Sequence, residues 1–321
     1  MRLPLFDGHC DTLPAMFREN QPLERNHLHI DLQRGGRYMP WAQFFAIFGQ
    51  IDPAGGIGFE GFTIYPDGAH CFEAQYGLFR DTIAANPDQM RFCRTGSDAA
   101  TAAREGKTAA FLSIEGAEIL DCNLDRLNEA YELGVRMVGL TWNVANALSG
   151  TCVEDTERGL TALGRRFVRR CEELGVIVDV SHISEAGFWD VAEESTKPFV
   201  ASHSNAHTIY PHSRNLTDAQ FRAIIEADGV AGINLYTVLL GGKTVDTAIA
   251  HMEHFLSLGG ERHLALGADL DGCDELPEGI DGIEGMEKLA ERLLQKNYAE
   301  SLVCDIFYHN LMRVVNAVCV I

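Results

Sequence analysis

No apolar run in this 321-residue chain approaches the roughly 18 residues that a membrane-spanning helix needs. The N-terminus, Met-Arg-Leu-Pro-Leu-Phe-Asp-Gly-His, lacks the long apolar core of a signal peptide, and Cys319 stands one residue too close to the end for prenylation. These absences predict a cytoplasmic protein with no membrane partner. No Cys-x-x-Cys pair occurs among the nine scattered cysteines, which argues against a disulfide framework and a structural zinc knuckle. Most are expected to be small buried hydrophobes, with Cys10 set apart by its place between two candidate metal ligands. Basic residues are scarce, 26 against 46 acidic ones, and the net charge of −20 repels nucleic acid and anionic lipid. There is no internal repeat, no low-complexity tract, and no linker rich enough to mark a second domain.

What is present is a soluble globular composition, 46% hydrophobic and 22% charged. Short apolar runs at Leu3–Phe6, Phe44–Phe48, Ala109–Ile114, Arg136–Leu140, Val176–Val180, Phe199–Ala201, Val230–Asn234 and Leu264–Gly267 read as strands. Segments of helical periodicity fill the gaps: Leu124–Leu133, Thr161–Leu174, Glu185–Glu194, Asp218–Ala227, Val245–Leu258 and Ile283–Gln295. Gly134, Gly175 and Gly229 stand where helices would end. Eight alternating strands predict an α/β fold of the (β/α)8 TIM-barrel type, one domain over 1–321. A long loop is expected near 52–70 and a C-terminal helix near 300–318.

His, Asp and Glu fall at the C-terminal ends of these strands. The first ends in Asp-Gly-His9-Cys-Asp11, the third in Ser-Ile-Glu115, the fifth in Val-Ser-His182, the sixth in Ala-Ser-His203, and the eighth in Asp269-Leu-Asp271. In a barrel those ends converge on one mouth, where active sites lie. A single His after a strand is more often a hydrogen-bonded core residue than a ligand. Five such groups at equivalent ends are hard to account for by packing, because buried ionisable groups are costly unless paired or metal-bound. Three imidazoles and several carboxylates suit a borderline divalent metal, zinc above all, and five ligands exceed what one tetrahedral zinc needs.

Four motifs then carry a resemblance: Gly-Leu-Thr-Ala-Leu-Gly-Arg at 159–165, Leu-Gly-Val-Ile-Val-Asp-Val-Ser-His at 174–182, Ala-Ser-His-Ser-Asn-Ala at 201–206, and Arg-Asn-Leu-Thr-Asp at 214–218. The chain resembles the membrane (renal) dipeptidase family of the amidohydrolase superfamily, from about Asp7 to the C-terminal helix. The resemblance implies two Zn2+ ions, His9 and Asp11 on one, His182 and His203 on the other, and Glu115 bridging. It implies that Arg214 binds the substrate's free carboxylate and that Asp269 sits beside the scissile amide. Asp269 and Glu115 are then the catalytic carboxylates, and Asp269 is better aimed than Asp271.

The sequence departs from that family where its members carry a His after Leu-Thr. Here the run is Leu140-Thr141-Trp142-Asn143-Val144-Ala145-Asn146. An indole offers only one N–H donor, so Trp142 and Asn143 are taken as substrate-binding candidates, with Asn143 or Asn146 as possible donors in place of the His. The expected activity is hydrolysis of dipeptides, L-Xaa-D-Xaa as well as L-L, by a hydroxide that two metals share. The alternatives are deacylation of N-acyl amino acids on the same site, or a catalytically weak metal-binding homologue. A small dipeptide is the expected partner, and a homodimer the default assembly.

Other signals are read more blandly. Gly56-Ile-Gly58-Phe-Glu-Gly61 matches a dinucleotide pattern but lies in the expected loop. His251 and His254 have ligand-like spacing on what reads as an exposed helix face. His207 and His212 lie between His203 and Arg214, either lining the pocket or at the surface. Asn215-Leu-Thr217 fits a glycosylation sequon. Asp179 is either a partner of the ligands or an interior barrel residue.

Overall fold

Along the barrel strands side chains alternate between a closed interior and a helix-covered exterior, as period-2 geometry requires. The computed structural model describes residues 2–52, 55–58 and 64–320. Eight parallel strands form the barrel: β1 Leu5–Asp7, β2 Trp41–Phe48, β3 Thr108–Glu115, β4 Val135–Gly139, β5 Ile177–Asp179, β6 Val200–Ala201, β7 Val230–Ile233 and β8 Leu264–Leu266. Each pairs with the next, and β8 closes on β1 with Asp7 opposite Leu266. All eight expected strands are present, with ends shifted by a few residues.

A ninth short strand, Met90–Phe92, was not legible in the sequence. It pairs with the first residues of β3, Thr108 to Ala110, before β4 joins the same edge at Leu112. The helices named from periodicity are all found, and Thr12–Glu19, Gly68–Ala85 and Gly96–Glu105 are added to them. Their starts follow ordinary capping. The hydroxyls of Thr161, Ser184 and Thr217 accept from the backbone N–H groups of Gly164, Gly187 and Gln220. Gly134 and Gly175 are left-handed helix ends as expected. Gly229 is not: Asp228 takes the left-handed conformation, and Gly229 is needed because a Cβ there would stand 2.0 Å from the Phe199 carbonyl oxygen.

Two layers fill the barrel interior. The lower holds Phe6, Phe44, Phe111, Met137, Ile177, Val200, Val230 and Ala265, all buried in one cluster with the C-terminal helix. The rings of Phe6, Phe44 and Phe111 lie 5.2–5.6 Å apart, and Tyr308 closes on Phe6 at 5.9 Å. That helix runs from Glu300 to Val318 with a π-turn at Asp305–His309. Two residues further along each strand, alternation puts Gly8, Ala46, Ser113, Gly139, Asp179, Ser202, Gly232 and Gly267 on the interior side. These are small or polar, and the strands close in on one another there: a Cβ at Gly232 or Gly267 would stand 2.0 or 1.7 Å from the Ser202 carbonyl oxygen.

The segment expected to be a loop near 52–70 contains structure. Gln50–Ile51, Ile57–Gly58 and Ile64–Tyr65 form an antiparallel three-stranded sheet, and a helix begins at Gly68. Ile57 and Gly58 of the dinucleotide-like pattern fall in this sheet, and Phe59 to Gly61 lie outside the described residues. Among the described residues no helix is long and apolar enough to cross a membrane.

Candidate active site

The residues expected at the mouth are found there, with the Asp271 carboxylate engaged by Thr12 and His29 at its edge. Glu115 is the last residue of β3, in phase with the inward-facing Phe111. His9 and Asp11 follow β1, and Asp11 occupies the cap position of helix Thr12–Glu19 without capping it. Its carboxylate turns toward His9 instead, with Oδ2 3.4 Å from Nε2. His182 and Asp269 stand in the left-handed region at φ 70° and 60°, a conformation that costs energy for side chains with a Cβ and that clusters at functional sites.

Glu115 joins the constellation. Its Oε1 lies 3.0 Å from His182 Nε2 and 3.4 Å from His203 Nε2, while Oε2 lies 3.6 Å from His9 Nε2. Asp269 Oδ1 is 3.8 Å from His9 Nε2. The imidazoles of His9 and His203 stack with centroids 4.0 Å apart.

Each group is held by a partner beneath it. Asn143 Oδ1 accepts from His182 Nδ1 at 2.8 Å, which fixes the tautomer and leaves the Nε2 lone pair facing the site. Asp179 accepts from the Ser202 hydroxyl at 2.5 Å, so the Ser202 oxygen accepts from His203 Nδ1 at 2.7 Å. Asp179 is thus both an interior barrel residue and the end of a relay to His203. Asn234 Nδ2 donates to Asp269 Oδ2 at 2.9 Å. Neither Asn234 nor Gly272 was singled out in the sequence. Asn234 follows β7 as the other site residues follow their strands, so its position alone was a signal. At Gly272 a Cβ would meet Asp11 Oδ2 at 2.1 Å and Asp269 Oδ1 at 2.4 Å.

The electrostatics fit a cation. Burial holds His182 and His203 below the ordinary imidazole value, the latter far below. Both rings are therefore neutral at pH 7, with Nε2 lone pairs 3.0 Å apart, an arrangement that is repulsive unless a cation shares them. Burial and the charge of Glu115 push the Asp11 carboxyl up to about 7. Against the same burial, the positive charge of His9 holds Glu115 well below its usual range. His9 Nε2 and Asp11 Oδ1 are buried without a hydrogen-bond partner among the described residues. His9, Glu115 and His203 form one group whose ligand atoms converge, and His9, Asp11 and Asp269 another. Orphaned ligand atoms, the two neutral imidazoles of His182 and His203, and crowded carboxylates suit divalent metal.

Comparison with known proteins agrees with this geometry. Residues 1–320 match the profile of a family described as membrane dipeptidase, peptidase family M19. The chain belongs to the membrane dipeptidase family. An uncharacterized protein in the pqqA 5′ region of Klebsiella pneumoniae is 35% identical over 259 residues, 76% of this chain and 94% of that one. A metallo peptidase from Rhodobacter sphaeroides, crystallised with a phosphinate mimic of the dipeptide L-Ala-D-Ala, is 28% identical with a TM-score of 0.88, covering 99% of this chain and 100% of that chain. The crystal structure of the dipeptidase AC, also of family M19, gives the same identity and TM-score over 99% of each chain. Membership makes the chain a hydrolase of a metallopeptidase family and implies a metal.

The rest of the mouth in this membrane dipeptidase family member is built from loops. A cleft of about 450 Å³ is lined by Glu115, Trp142, Asn143, His182, Arg214 and Asp269, among others. Arg214 is buried, touches the His203 carbonyl at 3.5 Å, and has no carboxylate partner among the described residues. Trp142 packs edge-on against Phe48, centroids 4.8 Å apart, and 6.2 Å from the His182 ring. Asn146 is not available as a donor to substrate. Its Nδ2 serves Glu118 and the Leu140 carbonyl, and its Oδ1 accepts from Leu148.

Several sequence readings are settled or corrected. Asp271 closes a loop, accepting from the Thr12 hydroxyl and the His29 backbone N–H, each at 2.6 Å. His251 is not exposed: it is fully buried, with Nδ1 accepting from Ala206 N–H and Nε2 donating to the Leu240 carbonyl. His254 pairs with Asp218 at 2.7 Å. His212 lines the cleft and His207 does not. Asn215 is buried and donates to the carbonyls of Tyr210 and Leu239, which removes it from glycosylation. Seven of the nine cysteines are buried, and Cys10 turns its thiol to the Phe44 carbonyl.

Proposed function

We propose that this chain is a dipeptidase working with two zinc ions, one held by His9 and Asp11, the other by His182 and His203, with Glu115 between them. The observation that carries the reading is the split of the Glu115 carboxylate, Oε1 toward His182 and His203 and Oε2 toward His9. Bound zinc supplies acidity to a water at neutral pH and polarises a carbonyl. The protein does the rest. Arg214, buried and with no carboxylate partner among the described residues, grips the substrate's terminal carboxylate through a planar fork of donors. That grip favours free dipeptides, with either an L or a D residue at the C-terminal position.

Asp269 takes the proton of the attacking water and returns it to the leaving amine. Asn234 holds one Asp269 oxygen, so the other faces the reacting atoms. Asn143 aims His182, and Trp142 walls the cleft.

The test is hydrolysis of an L-L and L-D dipeptide panel by protein of known zinc content, repeated after chelation and after zinc is restored. Cleavage that needs zinc, at about two metals per chain, is the expected result. An active Glu115→Ala variant with full metal content would sink the scheme. Turnover of acylated amino acids in place of dipeptides would move the activity to deacylation.

A further inference from the structure

Arg214 does not stand alone on its loop. Ser213 and Arg214 form the corner of a tight turn, closed by the Asn215 N–H donating to the His212 carbonyl at 3.0 Å. The turn is pinned from behind, where Asn215 Nδ2 donates to the carbonyls of Tyr210 and Leu239 at 2.9 and 2.8 Å. His212 opens the turn just before Arg214. Both side chains line the cleft that also holds Glu115 and Asp269.

The hydrogen bonds of His212 fix what it presents. The Arg214 backbone N–H donates to His212 Nδ1 at 3.1 Å, and a backbone N–H can only donate. Nδ1 is thus an acceptor, the ring is neutral, and its one proton sits on Nε2. Burial and the neighbouring Arg214 charge hold the ring below the ordinary imidazole value, in keeping with that neutral form. The Nε2–H has no protein acceptor among the described residues. The Tyr210 ring backs the imidazole, with centroids 6.4 Å apart and planes 19° from parallel. Tyr210 in turn lies against Gly241, where a Cβ would stand 2.2 Å from it. The imidazole is held in place with a donor to spare.

We infer that His212 is a second donor to the terminal carboxylate of the substrate, its Nε2–H completing the grip that Arg214 begins. The inference rests on the dipeptidase reading and on the place of Arg214 in it. A carboxylate offers about four lone-pair sites, more than one guanidinium fork fills. A neutral imidazole adds a hydrogen bond there without setting a second cation against Arg214. The pair also selects. A carboxylate accepts from both residues, whereas a C-terminal amide turns its NH2 toward at least one of these donors.

The experiment compares kcat and KM for Ala-Ala and its C-terminal amide in the zinc-loaded wild type, His212→Asn, His212→Gln and Arg214→Met. Asn places an acceptor near the position of Nδ1, so it keeps the contact with the Arg214 backbone and loses the outer donor. Gln does the reverse, with an N–H near the position of Nε2. His212 is half-buried, and both variants are expected to fold. His212→Asn is expected to raise KM for Ala-Ala about tenfold, the value of one charged hydrogen bond, with kcat and the amide little changed. His212→Gln is expected to recover most of that loss. A residue that merely held the turn would give the opposite order, Asn tolerated and Gln not. That order, no change in either variant, or equal losses on acid and amide overturns the role of His212 alone, while Arg214→Met still separates the two substrates. A wild type that cleaves neither substrate overturns the dipeptidase reading and this inference with it.

Discussion

Asn143 Oδ1 lies 2.8 Å from His182 Nδ1, and this contact decides which nitrogen of His182 faces Glu115. Through this contact Asn143 orients His182 from the wall of the cleft it lines. Asn143→Ala is expected to weaken metal binding about 10- to 100-fold with little change in fold. Zinc affinity by chelator competition, alongside a far-UV spectrum, checks it. An unchanged affinity would return Asn143 to a substrate-contacting role.

Gly272 is a matter of space. An added methyl would press on Asp11 Oδ2 and Asp269 Oδ1 together, while the backbone there is one that alanine tolerates. Gly272→Ala is expected to cut kcat by at least about a hundredfold, since small displacements of catalytic groups carry such losses. The melting temperature should stay close to that of the wild type. Full activity in this variant would show that the two carboxylates can move aside.

Arg214 should discriminate between free and blocked substrates. For a dipeptide, Arg214→Met is expected to lower kcat/KM by about a hundredfold, the loss of a buried charged pair. For the C-terminal amide of the same dipeptide the two enzymes should be nearly equal. Equal losses on both substrates would mean that Arg214 is structural.

Glu118 predicts a pH effect on stability. It is buried below the loop that carries Trp142, accepts from Asn146 at 2.9 Å, and burial raises its carboxyl to about 7 from an ordinary 4.5. Between those values the folded chain holds more protons than the unfolded one, so stability falls as pH rises through the window. Above about pH 8 the full cost applies, on the order of 3 kcal/mol. Glu118→Gln keeps an acceptor for Asn146 and removes the titration. Urea midpoints at pH 5 and pH 8 should therefore diverge for the wild type and less so for the variant; parallel slopes would contradict this.

Much of the barrel and its mouth was legible in the sequence, because strand-end position is a local property. His9, Asp11, Glu115, His182 and His203 each follow a recognisable apolar run, and a closed barrel brings such ends together whatever the loops do. What was missed depends on tertiary contact. His251 sits in a periodic helix whose buried face is set by the Ala206 and Leu240 backbone, 45 and 11 residues away. The three-stranded sheet at 50–65 has strands of two residues, too short for alternation to register. Gly272 looked like an ordinary turn residue, since its role exists only where Asp11 meets Asp269.

The aromatic floor of Phe6, Phe44 and Phe111, sealed from below by Tyr308 and the terminal helix, closes the lower end of the barrel, so that among the described residues Glu115 is approached from the mouth. Whatever enters must leave the way it came. Both amino acids released from a cleaved dipeptide, and the next dipeptide arriving, use the same opening above Glu115. Turnover is then a queue in which, on the role proposed for Arg214, the product it grips stands in the path of its successor.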